Sequence, residues 1–349
     1  MSCLLAEFDS NGLETGRMSE TSKHYLVTGG AGYIGSQTVR LLVREGHRVT
    51  VVDNLSTGHA EALPSEVTLV EAALSDGATI TKSLDGVDAV LHFAANIEAG
   101  ESVHDPARFW ANNLNGTLSL LNSMQAAGVK KLVFSSTAAV YGEPKENPIA
   151  EDNDLLPTNP YGQSKLASEM AIHDYCHAYD MSAICLRYFN AAGAEPGGQH
   201  GADHHHKTHL ITLCMEAALG RIPKLSIFGT DYPTRDGTAV RDYIHVVDLA
   251  AAHIDALRVL GEKGCRKYNL GNGLGYSVKE VVALAKEVTG VDFPTVLTER
   301  REGDPAELIA SSVRAQSQLH WKPAHAELRK ILQDAWDWHS SHPNGYSAE

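Results

Sequence analysis

The chain has 349 residues, 43% of them hydrophobic, and a formal charge of −14. That length exceeds the usual size of one core and leaves room for two lobes, while the acidic balance argues against a nucleic-acid surface and against anionic membranes, so any bound phosphate must meet locally focused positive groups. No apolar stretch approaches the length of a membrane-spanning helix, and the five cysteines, at positions 3, 176, 185, 214 and 265, form no CxxC and no disulfide ladder, as expected in a reducing cytoplasm.

Residues 1–22 are polar and acidic, without the basic start or apolar core of a secretory leader, and are expected to form a disordered extension; Met18 lies just before the fold begins. Residues 23–28 then form a short apolar strand that runs into Gly29-Gly-Ala-Gly-Tyr-Ile-Gly35. Helical periodicity follows, with Ile34, Val39, Leu42 and Val43 on one inward face up to Gly46, and residues 47–53 resume the strand pattern. This is a βαβ unit. Its glycines permit positive φ and close approach of the backbone to a pyrophosphate, and the helix start offers unpaired N–H groups to the anion. Asp53 follows Gly35 by eighteen residues, where its carboxylate can accept hydrogen bonds from an adenosine ribose and repel a 2′-phosphate. The pattern predicts NAD rather than NADP.

The middle of the chain alternates a buried strand over residues 89–94, a helix over 112–127 and a strand over 131–135, which predicts a parallel sheet. Ser135, Ser136 and Thr137 emerge at a strand's carboxyl end, where open α/β sheets bind ligands, and each could hydrogen-bond a substrate oxygen. Tyr161 and Lys165, four residues apart, share a helix face. A neighbouring cation favours phenolate, so the spacing predicts a Tyr161 pKa below the usual value of about 10 and an acid/base group near neutral pH. The histidines at 200, 204, 205, 206 and 209 invite a metal reading, but they lack a carboxylate or cysteine at ligand spacing and follow a glycine-rich stretch; a solvated loop and no metal are expected. Met124 and Met170 sit in helical patterns and are expected in the core.

The stretch Thr28-Gly-Gly-Ala-Gly-Tyr-Ile-Gly35, the hydroxyl run 135–137 and Tyr161-x-x-x-Lys165 together resemble the extended short-chain dehydrogenase/reductase family. Asp53-Asn54, Phe93-Ala-Ala95, Val140-Tyr-Gly142, Leu186-Arg-Tyr-Phe-Asn190, Phe228-Gly229, the long block from Asp231 to His245 and Arg300-Arg-Glu-Gly-Asp304 narrow the likeness to its UDP-hexose 4-epimerase branch, over about residues 24–346. The resemblance implies a Rossmann-like doubly wound parallel α/β sheet with a smaller carboxyl-terminal α/β substrate lobe. The NAD-binding domain would span 23–190, with parts of 230–270 returning to it, and the mainly UDP-sugar-binding lobe 191–349.

The activity implied is NAD-dependent inversion of C4 of UDP-galactose or UDP-glucose through a transient 4-keto sugar. Tyr161 would be its acid/base group, Thr137 would help position the proton, and Lys165 would bind the nicotinamide ribose. The cofactor would be held by Gly29, Gly32, Tyr33, Ile34, Gly35, Asp53, Asn54, Leu74, Phe93, Ala94, Ala95, Asn112, Ser135, Tyr161, Lys165 and Tyr188. Thr137, Asn190, Phe228, Arg241, Arg301 and Asp304 would hold the UDP-sugar, and a cytoplasmic homodimer would pair through segments 105–127 and 162–179.

Several residues depart from that pattern. Thr137 replaces a common serine, Ala73 replaces an aspartate that contacts adenine, and Leu308 stands where family members gate bulky N-acetyl sugars. Ala138-Ala139 occupies the place of the Asp-Glu pair of nucleotide-sugar dehydratases, which disfavours that activity. Epimerisation of a related UDP-sugar (a UDP-N-acetylhexosamine, a UDP-pentose or UDP-glucuronate) is the alternative. A non-catalytic NAD-binding protein would have no need to keep Thr137, Tyr161 and Lys165 together.

Overall fold

The structure, a computed structural model, describes residues 22–204, 207–301 and 304–346. The expected amino-terminal extension (Ser22 apart), Cys3, His205, His206, Glu302 and Gly303 lie outside the described residues.

β1 (His24–Thr28) runs into α1 (Tyr33–Arg44) and β2 (Arg48–Asp53), followed by β3 (Thr68–Glu71), α2 (Gly77–Ser83) and β4 (Ala89–His92). Two short helices, α3 (Ala99–His104) and α4 (Pro106–Phe109), lead through a π-wound segment, Trp110–Asn115, into α5 (Gly116–Ala127). The helical run expected from Asn112 therefore begins earlier, where the Asp105 side chain accepts the Arg108 N–H and Pro106 opens the first turn. β5 (Lys131–Thr137), α6 (Pro160–Tyr179) and β6 (Ser182–Tyr188) complete this half.

The second half holds β7 (Asn190–Ala192), α7 (Leu210–Ala218), β8 (Leu225–Phe228), β9 (Val240–His245), α8 (Val246–Val259) and β10 (Gly264–Leu270). After these come β11 (Gly275–Ser277), α9 (Val278–Thr289), β12 (Thr295–Thr298), β13 (Glu307–Leu308), α10 (Val313–Gln318) and α11 (Leu328–Ser341).

The main sheet has seven strands, all parallel, in the order β10-β6-β5-β4-β1-β2-β3. Parallel strands covered on both faces read as continuous apolar runs. Leu26, Val27, Val51, Val90, Leu91, Leu132, Val133 and Ile184 are fully buried, each stabilising by about 1.5–3 kcal/mol relative to exposure. Val39 and Leu42 of α1 pack with Leu249 and Ala252 of α8 in one core cluster, while Ile80, Leu120 and Ile172 of α2, α5 and α6 belong to another. The chain leaves β1 for β2 and β3 and returns on the other side to β4. The crevice between β1 and β4 is thus the topological switch point, open at the carboxyl ends of the strands.

A smaller sheet forms around β9, with β7 and β13 parallel to it and β11 antiparallel, and β8 pairs with β12. Ile211, Met215, Val281, Ile331 and Leu332 of α7, α9 and α11 belong to its core. Ser277 and Glu280 cap the start of α9 reciprocally, and left-handed Gly290 ends it.

Met124 is fully buried, but Met170 is 63% exposed, contrary to expectation. The buried stripe of α6 runs through Lys165, Ser168, Glu169, Ile172 and Cys176, which leaves Met170 on the other side. Among the described residues no helix is long and apolar enough to cross a membrane.

Candidate active site

The start of α6 is set locally. Asn159 caps it by accepting the Gly162 N–H at 2.9 Å, and Pro160 occupies the first helical position. Tyr161 therefore stands in the first turn with Lys165 one turn on, and both are buried, at 9% and 3% exposure. Thr137, at the end of β5, accepts the Ala139 N–H at 3.1 Å and lines the same cavity as Tyr161. The Thr137 hydroxyl opposes the rise in the Tyr161 pKa, as a proton turned toward the phenol oxygen does. The period-two alternation of β5 divides the hydroxyl run. Ser136 turns to the opposite face and donates to Glu169, whereas Ser135 meets His253 at 3.0 Å.

Burial raises the Tyr161 pKa above its ordinary value, and neighbouring Tyr188 and Glu98 push the same way. The downward shift expected from Lys165 is not what the fold produces. Removal from water penalises both charged forms and lowers Lys165 to about 7, and its Nζ lies 4.3 Å from the Phe134 ring centroid.

A cavity of about 510 Å³ joins the two lobes. It is lined by all the residues expected to hold cofactor and sugar nucleotide except Ser135 and Lys165, which stand behind its wall. At one end α1 begins at Gly32, with no side-chain cap and no acidic residue in its first turn. A Cβ at Gly32 would meet only the Gly29 carbonyl, at 3.4 Å, so the space before the helix start is open to an anion. Gly29 has φ +69°, and a Cβ there would lie 2.4 Å from the Ala94 nitrogen, so only glycine fits the crevice between β1 and β4. The Asp53 carboxylate takes the N–H groups of Ala31 at 3.0 Å and Leu55 at 2.9 Å. Burial raises its pKa, and those two bonds oppose the rise. An open helix start with a carboxylate at the end of β2 fits the pyrophosphate and ribose of a dinucleotide.

Two expectations follow. Asp53→Asn should reduce the preference for NAD over NADP by about tenfold, roughly 1.4 kcal/mol, read by titrating both cofactors onto stripped protein; equal binding of the two by the wild type would exclude this role. Ala73 is exposed on the rim beside Leu74, where it offers no acceptor to an adenine. Ala73→Asp should tighten NAD binding about two- to twelvefold, roughly 0.5–1.5 kcal/mol, seen as higher cofactor occupancy after purification; unchanged occupancy would show that the site needs no carboxylate there.

At the other end the Arg301 guanidinium lies 4.1 Å from the Phe228 ring centroid, Arg241 pairs with Asp304, and the Asn190 amide donates to the Asp242 carbonyl at 3.0 Å. Two forked cations inside an acidic protein suit a diphosphate. Leu308 does not line the cavity; it pairs in register with Arg241 and packs beside the cluster containing Phe189.

His200 and His204 do not stand in the solvated loop expected of the histidine segment. His200 is 1% exposed, with Nε2 2.9 Å from Ser36 Oγ and Nδ1 2.7 Å from the Tyr346 hydroxyl. His204 sets its ring edge-on to Tyr33 at 5.7 Å and lines the cavity together with His209. Burial lowers His200 and His204 to about 3, so both are neutral. Among the described residues no group of three or more His, Cys, Asp or Glu side chains is placed to hold a metal ion. Asn96, Glu98, His204, His209, Leu210 and Tyr243 also line the cavity; of these the sequence drew attention to His204 and His209, in the histidine segment, and to Tyr243, within the block from Asp231 to His245.

Residues 25–271 match the NAD dependent epimerase/dehydratase family. The UDP-glucose 4-epimerase of Halalkalibacterium halodurans is 50% identical over 329 residues, 93% of this chain and 98% of that protein. Among solved structures, UDP-glucose 4-epimerase from Brucella ovis in complex with NAD superposes with a TM-score of 0.87 at 41% identity, covering 90% of this chain and 98% of that one. The enzyme from Bifidobacterium longum in complex with NAD+ and UDP gives 0.88 at 36% identity, covering 93% and 100%.

Proposed function

The chain belongs to the NAD dependent epimerase/dehydratase family and is an isomerase that inverts C4 of UDP-hexoses with NAD; we propose that Tyr161 is its acid/base group. Tyr161 takes the 4-hydroxyl proton as C4 becomes a carbonyl, and returns it when the carbonyl is reduced from the opposite face. Bound NAD would supply the hydride acceptor. Thr137 steers the proton by donating to the phenol oxygen, and Lys165 adds positive charge from behind the wall, the place from which it would reach the nicotinamide ribose. Arg241 and Arg301 hold the diphosphate while the sugar turns, with Asn190, Phe228 and Asp304 around them. Gly29 to Gly35, Asp53 and the residues following β4 hold the cofactor.

The observation that carries this reading is that Thr137 and Tyr161 line the same cavity as the guanidiniums of Arg241 and Arg301. The cofactor lobe is residues 23–190, joined by parts of 230–270, and the sugar-nucleotide lobe is mainly 191–349. A second copy pairs through segments 105–127 and 162–179, and exposed Met170 and Tyr179 of α6 support an apolar contact there; the cytoplasm is the proposed location. Incubation with UDP-galactose, without added reductant, should yield UDP-glucose by chromatography, with UDP-N-acetylgalactosamine and UDP-arabinose tested alongside. No conversion of UDP-galactose by NAD-loaded protein would overturn the assignment.

A further inference from the structure

β10 forms one edge of the seven-stranded sheet and pairs in parallel with β6. The register sets Cys265 opposite Ala183 and Lys267 opposite Cys185. Paired residues share a face and every second residue returns to it, so Cys265, Cys185 and Lys267 stand on one side of the sheet. Ile172 and Cys176 of α6 belong to the core on that side. The two strand thiols are diagonal neighbours there, with their Sγ atoms 3.6 Å apart.

Their surroundings differ. Cys185 is fully buried, whereas Cys265 is partly exposed at the sheet edge. Cys176 and Cys214 are buried as well, so among the described cysteines Cys265 is the one that solvent reaches. The nucleophilic form of cysteine is the thiolate. Contact with the Cys185 thiol, and then the charge of Lys267, hold Cys265 below the ordinary thiol range although burial opposes them. The same contact, together with burial, pushes Cys185 up. Both directions are those of a Cys185 S–H donating to the Cys265 sulfur.

We infer that Cys265 and Cys185 are a modification site, a dithiol that a hydroperoxide converts to a disulfide, with Cys265 as the attacking sulfur and Cys185 as the resolving one. In the first step the Cys265 thiolate attacks one peroxide oxygen. An S–O bond forms, the O–O bond breaks, and the departing hydroxide takes a proton from solvent; the sulfur is oxidised to a sulfenic acid and the peroxide is reduced to water. In the second step the Cys185 sulfur attacks the Cys265 sulfur. An S–S bond forms, the S–O bond breaks, and the hydroxyl leaves with the Cys185 proton as water. Two thiols and one peroxide thus give one disulfide and two waters. The sulfurs need to approach by only about 1.5 Å to bond. Neither cysteine lines the catalytic cavity, so the site is separate from the chemistry at Tyr161. A disulfide at a partly exposed sheet edge is open to attack by a thiol, which returns the pair to the reduced state.

The test uses full-length, NAD-loaded protein carrying Cys3→Ser, because Cys3 lies outside the described residues and would confuse the thiol count. The protein is treated with hydrogen peroxide, alkylated and digested. Mass spectrometry should find a peptide pair joined through residues 185 and 265, lighter by two hydrogens than the separate peptides, and dithiothreitol should abolish it. Cys185→Ala removes the resolving sulfur, so the reaction should stop at the sulfenic acid and dimedone should label Cys265. In Cys265→Ser the same exposure should give neither a cross-link nor dimedone at Cys185.

Every thiol intact after peroxide treatment of the folded protein would overturn the inference. So would a cross-link from Cys265 to Cys176 in place of Cys185, or dimedone on Cys185 in Cys265→Ser, which would reverse the two roles. If Cys185→Ala fails to fold, the cross-link in the parent protein and its loss in Cys265→Ser decide the matter.

Discussion

Tyr161→Phe is expected to lower the turnover of UDP-galactose by about 10²–10⁴-fold while leaving the fold and NAD occupancy close to wild type. The substitution removes one oxygen. The ring keeps its edge contact with Phe109, 6.5 Å between centroids, and Thr137 keeps its bond to the Ala139 N–H. Loss of the hydroxyl's polar interactions costs stability only about 0.5–1.5 kcal/mol. Saturating substrate and product chromatography read the turnover, and retained cofactor is measured on the same preparation. Activity within a few-fold of wild type would remove Tyr161 from the acid/base role. Thr137→Val, which keeps the branched shape, should have a smaller effect and move the Tyr161 pKa further up, because the proton that favours phenolate is gone.

The largest stability effect is expected at Arg187. Its Nε and Nη2 donate to the Glu169 carboxylate at 2.9 and 2.6 Å, its Nη1 donates to the Tyr141 hydroxyl at 2.9 Å, and both charged side chains are almost wholly buried. Arg187→Met would leave the Glu169 carboxylate in the core without its partner, a loss of about 3–5 kcal/mol. Urea denaturation would measure it, and a loss under about 1 kcal/mol would show that Ser136 and Lys165 suffice for Glu169. Arg187→Met combined with Glu169→Leu should recover much of the loss, since the expense lies in the unpaired charge.

Lys165, one turn before Glu169, carries the opposite lesson. Desolvation lowers it to about 7, with Glu169 opposing. The unfolded chain holds that proton more tightly than the fold does, so burial of Lys165 costs stability fully below about pH 7. The cost fades as pH rises toward the ordinary value of 10.5. Lys165→Met should therefore raise the thermal midpoint of ligand-free protein by about 2–4 °C at neutral pH while lowering activity. A midpoint that falls instead would mean that its contact with Phe134 outweighs desolvation.

The βαβ unit, its glycine turn, Asp53 at the end of its second strand and the one-turn spacing of Tyr161 and Lys165 were all legible in the sequence, because each depends on spacing and turn chemistry within a short stretch. The parallel order of the middle strands followed from alternation alone. The electrostatic state of Tyr161 and Lys165 was not legible. Spacing records that a cation is near a phenol, but solvent exclusion decides the sign, and the groups that exclude solvent come from distant parts of the chain. Met170 obeyed a helical period yet faces outward, since period alone does not say which side of α6 meets the sheet. His200 is buried by Tyr346, 146 residues later, and Ser135 meets His253 across 118 residues. Which hydroxyl gives its proton to which acceptor is thus a property of the packed molecule, because a hydrogen bond acquires direction only when both of its partners are in place.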